Sequence, residues 1–558
     1  MLSLKYLPVF LAFSVMPPAA TAQQPSVLNE VVDEIVKQEQ REVQLLRQYS
    51  PLVETYIQYI RPDEHFGDVP DGDRYFLGRA VLAKGLELES LKREAGMKQK
   101  MFGGWGDYIM EFVPAGFLQM IYLDTNGFDR RHYKFKYVGR EFLDQVRCMV
   151  FDVEPLPNAG KRRFVGRIWV EDHDYHIVRF IGSYGIASST SYYFNFESWR
   201  MNVAPDRWVP AYVYVEDGSV RNAKARNLGF KAFRAQTLLW GYHVEDVGAD
   251  QGLSKVVGEV PFPGMYQTET EGDFTWLQAE RSRAQKAEDN VVDQLEGQGL
   301  LAPHGEVEEV LETVVQNLET TNDLDNPPDV RCRVLMTSTL ESFTVGHTIV
   351  LSRGLIDVVP DEATLAAILA HELGHILLGH PIDTQFAFIN RLRFAERETF
   401  RHFDFARSPE EEQSAKGKGA ELLKNSPYKD QFASGQLFLQ TLKDRSKDIP
   451  NLISPHLGEV PTNWIPAPAA SSPQPNNTKV NNIIAAYPVG GHIKVNPWND
   501  QLRMLKQPVD TVVEDEKRPF EVTPLAPYLR WQESSSPTES PTGVAAESAR
   551  QGQVLACP

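Results

Sequence analysis

Residues 26–60 place apolar side chains at helical spacing, with Val31, Ile35, Leu45 and Leu46 as the clearest positions. Pro51 interrupts that run and lacks the amide hydrogen a helix interior uses, so the pattern predicts two helices. From about residue 100 to 243 the period changes. YKFKYV, VRCMVFDV, RFVGRIWV, YHIVRFIGSY, SYYFNFESWRM and WVPAYVYVED are rich in Val, Ile and aromatic residues with partial alternation. Such segments are strands of a half-buried sheet. Turn clusters such as Pro157-Asn158-Ala159-Gly160 and Glu171 to Asp174 separate them, and Phe164 to Phe180 predicts a hairpin. The aromatic run Tyr192, Tyr193, Phe194, Phe196 and Trp199 is read as sheet core rather than a ligand box.

Residues 274–298 return to helix and carry many charges, as a connector would. A mixed region follows from 304 to about 445. PAPAASSPQPNN, residues 466–477, reads as a linker, 482–526 as a small β unit, and the Ser/Pro/Thr/Gly-rich stretch from 533 as disordered. The expected organisation is therefore a signal peptide at 1–22 and a helical N-terminus with a β-rich domain at 23–250. A helical connector at 251–303 and the region 304–445 follow. A Pro-rich linker with a small β unit spans 446–530, and a tail spans 531–558.

Composition narrows the possible functions. In 558 residues, 57 Lys and Arg face 75 Asp and Glu, a net charge of −18. That balance argues against a nucleic-acid partner, which requires a basic footprint, and against charge-driven docking on anionic lipid. Three cysteines, Cys148, Cys332 and Cys557, exclude a disulfide framework and a four-cysteine metal site. At the N-terminus Lys5, the apolar stretch Tyr6 to Val15 and the small-residue site Ala20-Thr21-Ala22 form a secretory leader. Its apolar run falls short of the roughly 20 residues a membrane span needs. The mature chain is expected in the periplasm or outside the cell, without a transmembrane segment.

The chemistry is concentrated in PDEATLAAILAHELGHILLGHP, residues 360–381. Asp361 is placed to cap a mostly apolar, buried helix, with Glu362 in its first turn. His371 and His375 stand four residues apart, so both imidazoles project from one face. Two nitrogens so placed can reach one zinc ion at ~2.0–2.1 Å. Glu372 lies beside them, where a carboxylate can take a proton from an attacking water. This is the HExxH pattern of zinc hydrolases. A charged Glu372 in so apolar a helix would otherwise be costly to bury. His380 is read as ending the helix, with support of the metal site as its alternative. Zinc requires a third protein ligand, and Glu410, Glu411 and Glu412 stand downstream after Pro409. Spacing alone does not choose among them.

With these residues in place, 304–445 resembles the HtpX, BepA and CAAX-prenyl-protease type of zinc metalloendopeptidase. ESFTVGHTIVLSRGLIDVVPDEATLAAILAHELGH is similar to that family's strand before the zinc helix. The family carries a glutamate ligand at the start of a later helix. Laid without a gap on that pattern, EEEQSAKGKGAELLKNSPYKD matches at Ala415, Leu422, Leu423 and Tyr428 and makes Glu412 the ligand. A two-residue shift makes Glu410 the alternative third ligand. The family's aspartate that supports a zinc-binding histidine from behind falls on Lys416, a departure expected to weaken the site. The family often places a histidine at a distance like that of His456, 44 residues after Glu412, as a transition-state or gating group. His347, in the preceding strand, either lines the substrate edge or faces solvent.

The β-rich half resembles, by pattern, the LolA-type half-barrel of lipoprotein-sorting proteins. The expected fold class is α+β and multidomain, a LolA-like antiparallel domain followed by a mainly helical zincin-type peptidase domain. The expected activity is that of an exported zinc metalloendopeptidase with one Zn2+ per chain, acting on envelope or secreted polypeptides. His371, His375 and Glu412 would hold the metal, Glu372 would be the general base, and the edge of strand 343–351 would pair with an extended peptide. The rival expectation is a weakened protease whose sheet binds lipid or a lipoprotein.

Overall fold

The computed structural model describes residues 25–63, 67–83, 87–91, 117–125, 127–143, 145–160, 162–185, 194–217, 232–242, 276–324, 328–382, 403–429, 438–439, 442–443, 446–453, 457–458, 492–497 and 499–505. The leader at 1–22, Tyr192, Tyr193, the 466–477 linker, Cys557 and the C-terminal tail lie outside them.

Helix α1 (Pro25–Leu46) comes first, followed by β1 (Leu52–Asp63), β2 (Gly67–Val81) and β3 (Glu87–Ser90). The next seven strands are β4 (Tyr133–Leu143), β5 (Val146–Pro155), β6 (Val165–Glu171), β7 (Ile177–Ser183), β8 (Phe196–Ala204), β9 (Arg207–Asp217) and β10 (Ala232–Trp240). All ten form one antiparallel sheet, ordered β3-β2-β1-β10-β9-β8-β7-β6-β5-β4. The strands expected between 133 and 217 are there, and β6–β7 is the expected hairpin.

The second helix expected before residue 60 is instead β1. Leu52 and Tyr56 enter the core on one sheet face, while Val53 and Ile57 enter the core on the other. A strand buried on both faces presents a nearly continuous apolar run, and its period alone cannot separate it from a helix. After Pro51 the sheet partner β10 settles the choice, with Leu52 opposite Trp240.

One face of the sheet is covered by α1 and residues 117–123. Val32, Ile35, Val43 and Leu46 of the helix meet Ile57, Phe180, Phe196 and Phe233 in one core. Within it Arg200, 1% exposed, makes a bidentate bond to Glu39 at 2.6 and 2.9 Å. Beside this pair, burial raises Glu42 from its ordinary value to about 7. Burial and then Arg200 lower His176 to about 4.

The other face shares a continuous core with the C-terminal half. That half begins with α2 (Trp276–Gly297), the helix expected as a charged connector, which buries Ala287, Val291 and Leu295 in this core. It continues through α3 (Glu306–Thr321), β11 (Arg331–Leu335), β12 (Ser342–Val345), β13 (Thr348–Ser352) and α4 (Arg353–Val358). Helices α5 (Glu362–Leu378), α6 (Pro409–Lys424) and α7 (Pro450–Ile453) follow. Strands β14 (His492–Val495) and β15 (Leu502–Leu505) form a hairpin within the expected small β unit. The three-stranded sheet is ordered β11-β13-β12, which leaves β12 at its edge.

Buried polar bonds fasten the halves together. Glu54 of β1 accepts from Ser338 N and Oγ, both at 2.7 Å. Asp73 of β2 accepts from the amides of Asn451 and Leu452 at 3.0 and 2.8 Å. Asp500 accepts from Gly241 N at 2.8 Å, and burial raises its carboxyl to about 7. Cys148 and Cys332 are buried free thiols. No described helix is long and apolar enough to cross a membrane.

Candidate metal centre

Helix α5 starts where the sequence places it. Asp361 accepts from Thr364 N at 2.8 Å, and the helix stops at Gly379, whose φ of 66° is left-handed. Nearly every side chain between is buried, which seats His371 and His375 inside the protein. Their Nε2 atoms lie 3.2 Å apart.

Glu412 arrives from α6. Ser408 caps that helix in a reciprocal box with Glu411, and Pro409 occupies its first turn. The Glu411 carboxyl, bonded to the Ser408 amide and hydroxyl, is held below its ordinary value. Glu410 is exposed and lies outside the cluster. Glu412 faces α5, its Oε2 3.4 Å from His371 Nε2 and its Oε1 3.8 Å from His375 Nε2. Of three adjacent glutamates, one caps, one is solvated and one joins the histidines.

Two glycines permit this approach. A Cβ on Gly374 would meet the Ala415 carbonyl oxygen at 2.7 Å, and one on Gly419 would meet Ala370 O and His371 Cα at 3.0 Å. Backbone-to-backbone contact of α5 and α6 thus requires both positions to lack side chains. Neither is singled out by the sequence pattern. Tyr428, one of the residues matched in the resemblance, donates to Glu362 Oε1 at 2.7 Å and holds the start of α5.

The donor set fits a zinc ion. Ligands ~2.0–2.1 Å from one tetrahedral centre stand about 3.3–3.4 Å from each other. The two imidazole nitrogens stand 3.2 Å apart, and the nearest Glu412 oxygens, one to each, lie at 3.4 and 3.8 Å, close to that edge. Among the described residues, His371, His375 and Glu412 are the one group of three or more metal-ligating side chains so convergent.

Glu372 is fully buried. Ser342, the first residue of β12, donates its hydroxyl to Glu372 Oε1 and fixes the carboxylate against the strand. Sequence reasoning did not find Ser342, because 30 residues separate the pair and no motif links them. The single strand expected at 343–351 is two, β12 and β13, of which β13 is interior, and on the β12 edge Arg407 Nη2 reaches Thr344 Oγ1 at 2.8 Å and Thr344 O at 3.4 Å. His347 is exposed in the turn between β12 and β13. His456 lies outside the described residues, while the amides of Leu457 and Gly458 donate to Glu341 Oε2 at 2.9 and 3.2 Å. His380 Nδ1 approaches His375 Nδ1 to 2.8 Å.

No curated protein matches the chain. A family model does, over the span that contains α3, the three-stranded sheet and α5. Residues 302–401 match Peptidase family M48, which supports a metallopeptidase of that family in the C-terminal half of the chain; the matched segment ends before Glu412.

Proposed function

We propose that the chain is an exported zinc metalloendopeptidase, acting on polypeptides of the cell envelope or outside the cell. The observation that carries this reading is the convergence of Glu412 on His371 and His375, which lie with Glu372 inside the segment that matches a metallopeptidase family. Export is supported by the leader pattern of residues 1–22.

His371 and His375 through Nε2, and Glu412 through its carboxylate, would hold the ion. Zinc bound there supplies a Lewis acid that polarises the scissile carbonyl and acidifies water. The Glu372 carboxylate takes the proton of the attacking water and returns it to the leaving amine. Ser342 keeps that carboxylate in one rotamer, so its orientation is set before substrate arrives. Burial of His371, Glu372 and His375 in the apolar helix limits their contact with bulk water and strengthens the electrostatic contacts they make.

The test is hydrolysis of an unfolded protein by the zinc-loaded chain, beside Glu372→Gln. Cleavage by the parent and none by the variant, with metal retained in both, supports the reading. Equal cleavage by both, or none by the parent, contradicts it.

A further inference from the structure

His380 has no part in the chemistry just described, yet its ring is turned back onto a metal-site histidine. Helix α5 ends at Gly379 in the left-handed conformation, and the His380 amide donates to His375 O at 3.1 Å. That turn brings the two imidazoles to 4.9 Å between centroids, at 71° to each other. His375 Nδ1 and His380 Nδ1 are 2.8 Å apart, a hydrogen-bond distance. On its far side, His380 Nε2 lies 3.3 Å from Ser414 Oγ, and Ser414 donates to Glu411 O at 2.9 Å.

Hydrogen counting gives this chain one direction. A neutral imidazole carries one N–H and one lone pair. If His375 uses the Nε2 lone pair toward the ion, its hydrogen is on Nδ1, where His380 Nδ1 stands at 2.8 Å as an acceptor. His380 then carries its own hydrogen on Nε2 and donates to Ser414 Oγ. Ser414 passes its hydroxyl hydrogen to the carbonyl of Glu411, the residue before Glu412. Each link has one donor and one acceptor, and the chain runs from one metal-site residue to the backbone beside another.

We propose that His380 is the positioning residue of this metal centre. It fixes the tautomer and rotation of His375, and through Ser414 it joins the end of α5 to the first turns of α6. The inference rests on the metal reading above and adds to it. The position where the resemblance implies an acidic partner holds Lys416, and the Nδ1 partner that His375 does have comes from its own helix end. Groups that hold the second nitrogen of a metal-binding histidine typically matter 10–100-fold in metal affinity.

Zinc affinity of the full chain, measured by competition with a chromogenic chelator, tests this. The set is the parent, His380→Phe, His380→Asn and Ser414→Ala, each also unfolded thermally without zinc. Phe keeps the ring and removes the acceptor, whereas Asn keeps an acceptor oxygen close to the position of Nδ1. His380→Phe is expected to weaken zinc binding about 10–100-fold with the zinc-free unfolding midpoint unchanged. His380→Asn should recover most of that loss, and Ser414→Ala should lose less than His380→Phe. Equal affinity for the parent and His380→Phe overturns the inference and leaves the metal reading intact. So does a His380→Asn variant as weak as His380→Phe, because ring packing and not the acceptor would then matter. No zinc on the parent overturns both.

Discussion

Two buried clusters in this protein use the same residue types and reach opposite ends. Between α1 and the ten-stranded sheet, Glu39, Glu42 and His176 are gathered around Arg200. Between α5 and α6, His371 and His375 are gathered around Glu412. Burying a carboxylate is costly unless a compensating charge and hydrogen bonds are close by. The sheet half supplies its own cation, a guanidinium locked in a bidentate bond to Glu39. The peptidase half brings two imidazoles and a carboxylate to the spacing of a tetrahedron's edge, and in our reading the positive charge comes from an ion. Imidazole next to carboxylate is therefore no sign of a metal centre by itself. The distinguishing feature is whether the chain provides the cation.

The sharpest break of this comparison is on the peptidase side. Glu372→Gln should reduce peptide hydrolysis about 10²–10⁴-fold, the usual contribution of a general base, while zinc content stays at the parent level. On the sheet side, Arg200→Met strips the cation from two buried carboxylates. It should lower the unfolding free energy by about 3–5 kcal/mol in a urea titration, and a loss below about 1 kcal/mol would show that Arg200 does not close the cluster.

A third change separates the clusters by pH. Glu42 titrates near 7 in the folded chain, above its ordinary 4.5, so the native state keeps a proton that the unfolded state releases. The stability tied to that proton is fully present below about 4.5 and is lost as pH rises to about 7. Glu42→Gln removes this loss. The variant should match the parent at pH 4 and exceed it above pH 7, by at most about 3 kcal/mol. A constant difference from pH 4 to 8 would contradict the assignment. Smallest is Gly374→Ala, whose Cβ would press on the Ala415 carbonyl. It should cost about 1–3 kcal/mol and weaken zinc binding together, since the same helix contact brings Glu412 to the histidines. Unchanged zinc affinity in a destabilised variant would separate the two effects.

What could be read from the sequence follows the range of the interactions. His371, Glu372 and His375 are legible because four residues make one helical turn, and Asp361 because capping is local. The strands β4 to β9 are legible from alternation and turn clusters. Strand β1 is not, since a segment buried on both faces loses the alternation that marks a strand. The choice of Glu412 over Glu410 depends on the side from which α6 meets α5, which Gly374 and Gly419 decide through backbone contact. Ser342 reaches Glu372 across 30 residues, and His380 reaches His375 only because Gly379 takes a left-handed turn. The first is a tertiary contact that leaves no period or motif in the chain; the second is local, and it turns on one backbone conformation that left both readings of His380 open in the sequence.

The most direct test of the metal assignment is zinc per chain in the purified parent, Glu412→Ala and Glu410→Ala, measured by elemental analysis after dialysis. The account predicts about one zinc in the parent and in Glu410→Ala, and little in Glu412→Ala, since three protein ligands are needed to hold the ion tightly. A parent without zinc after metal is supplied, or a Glu412→Ala variant that keeps it, would contradict the assignment of His371, His375 and Glu412 as the metal centre.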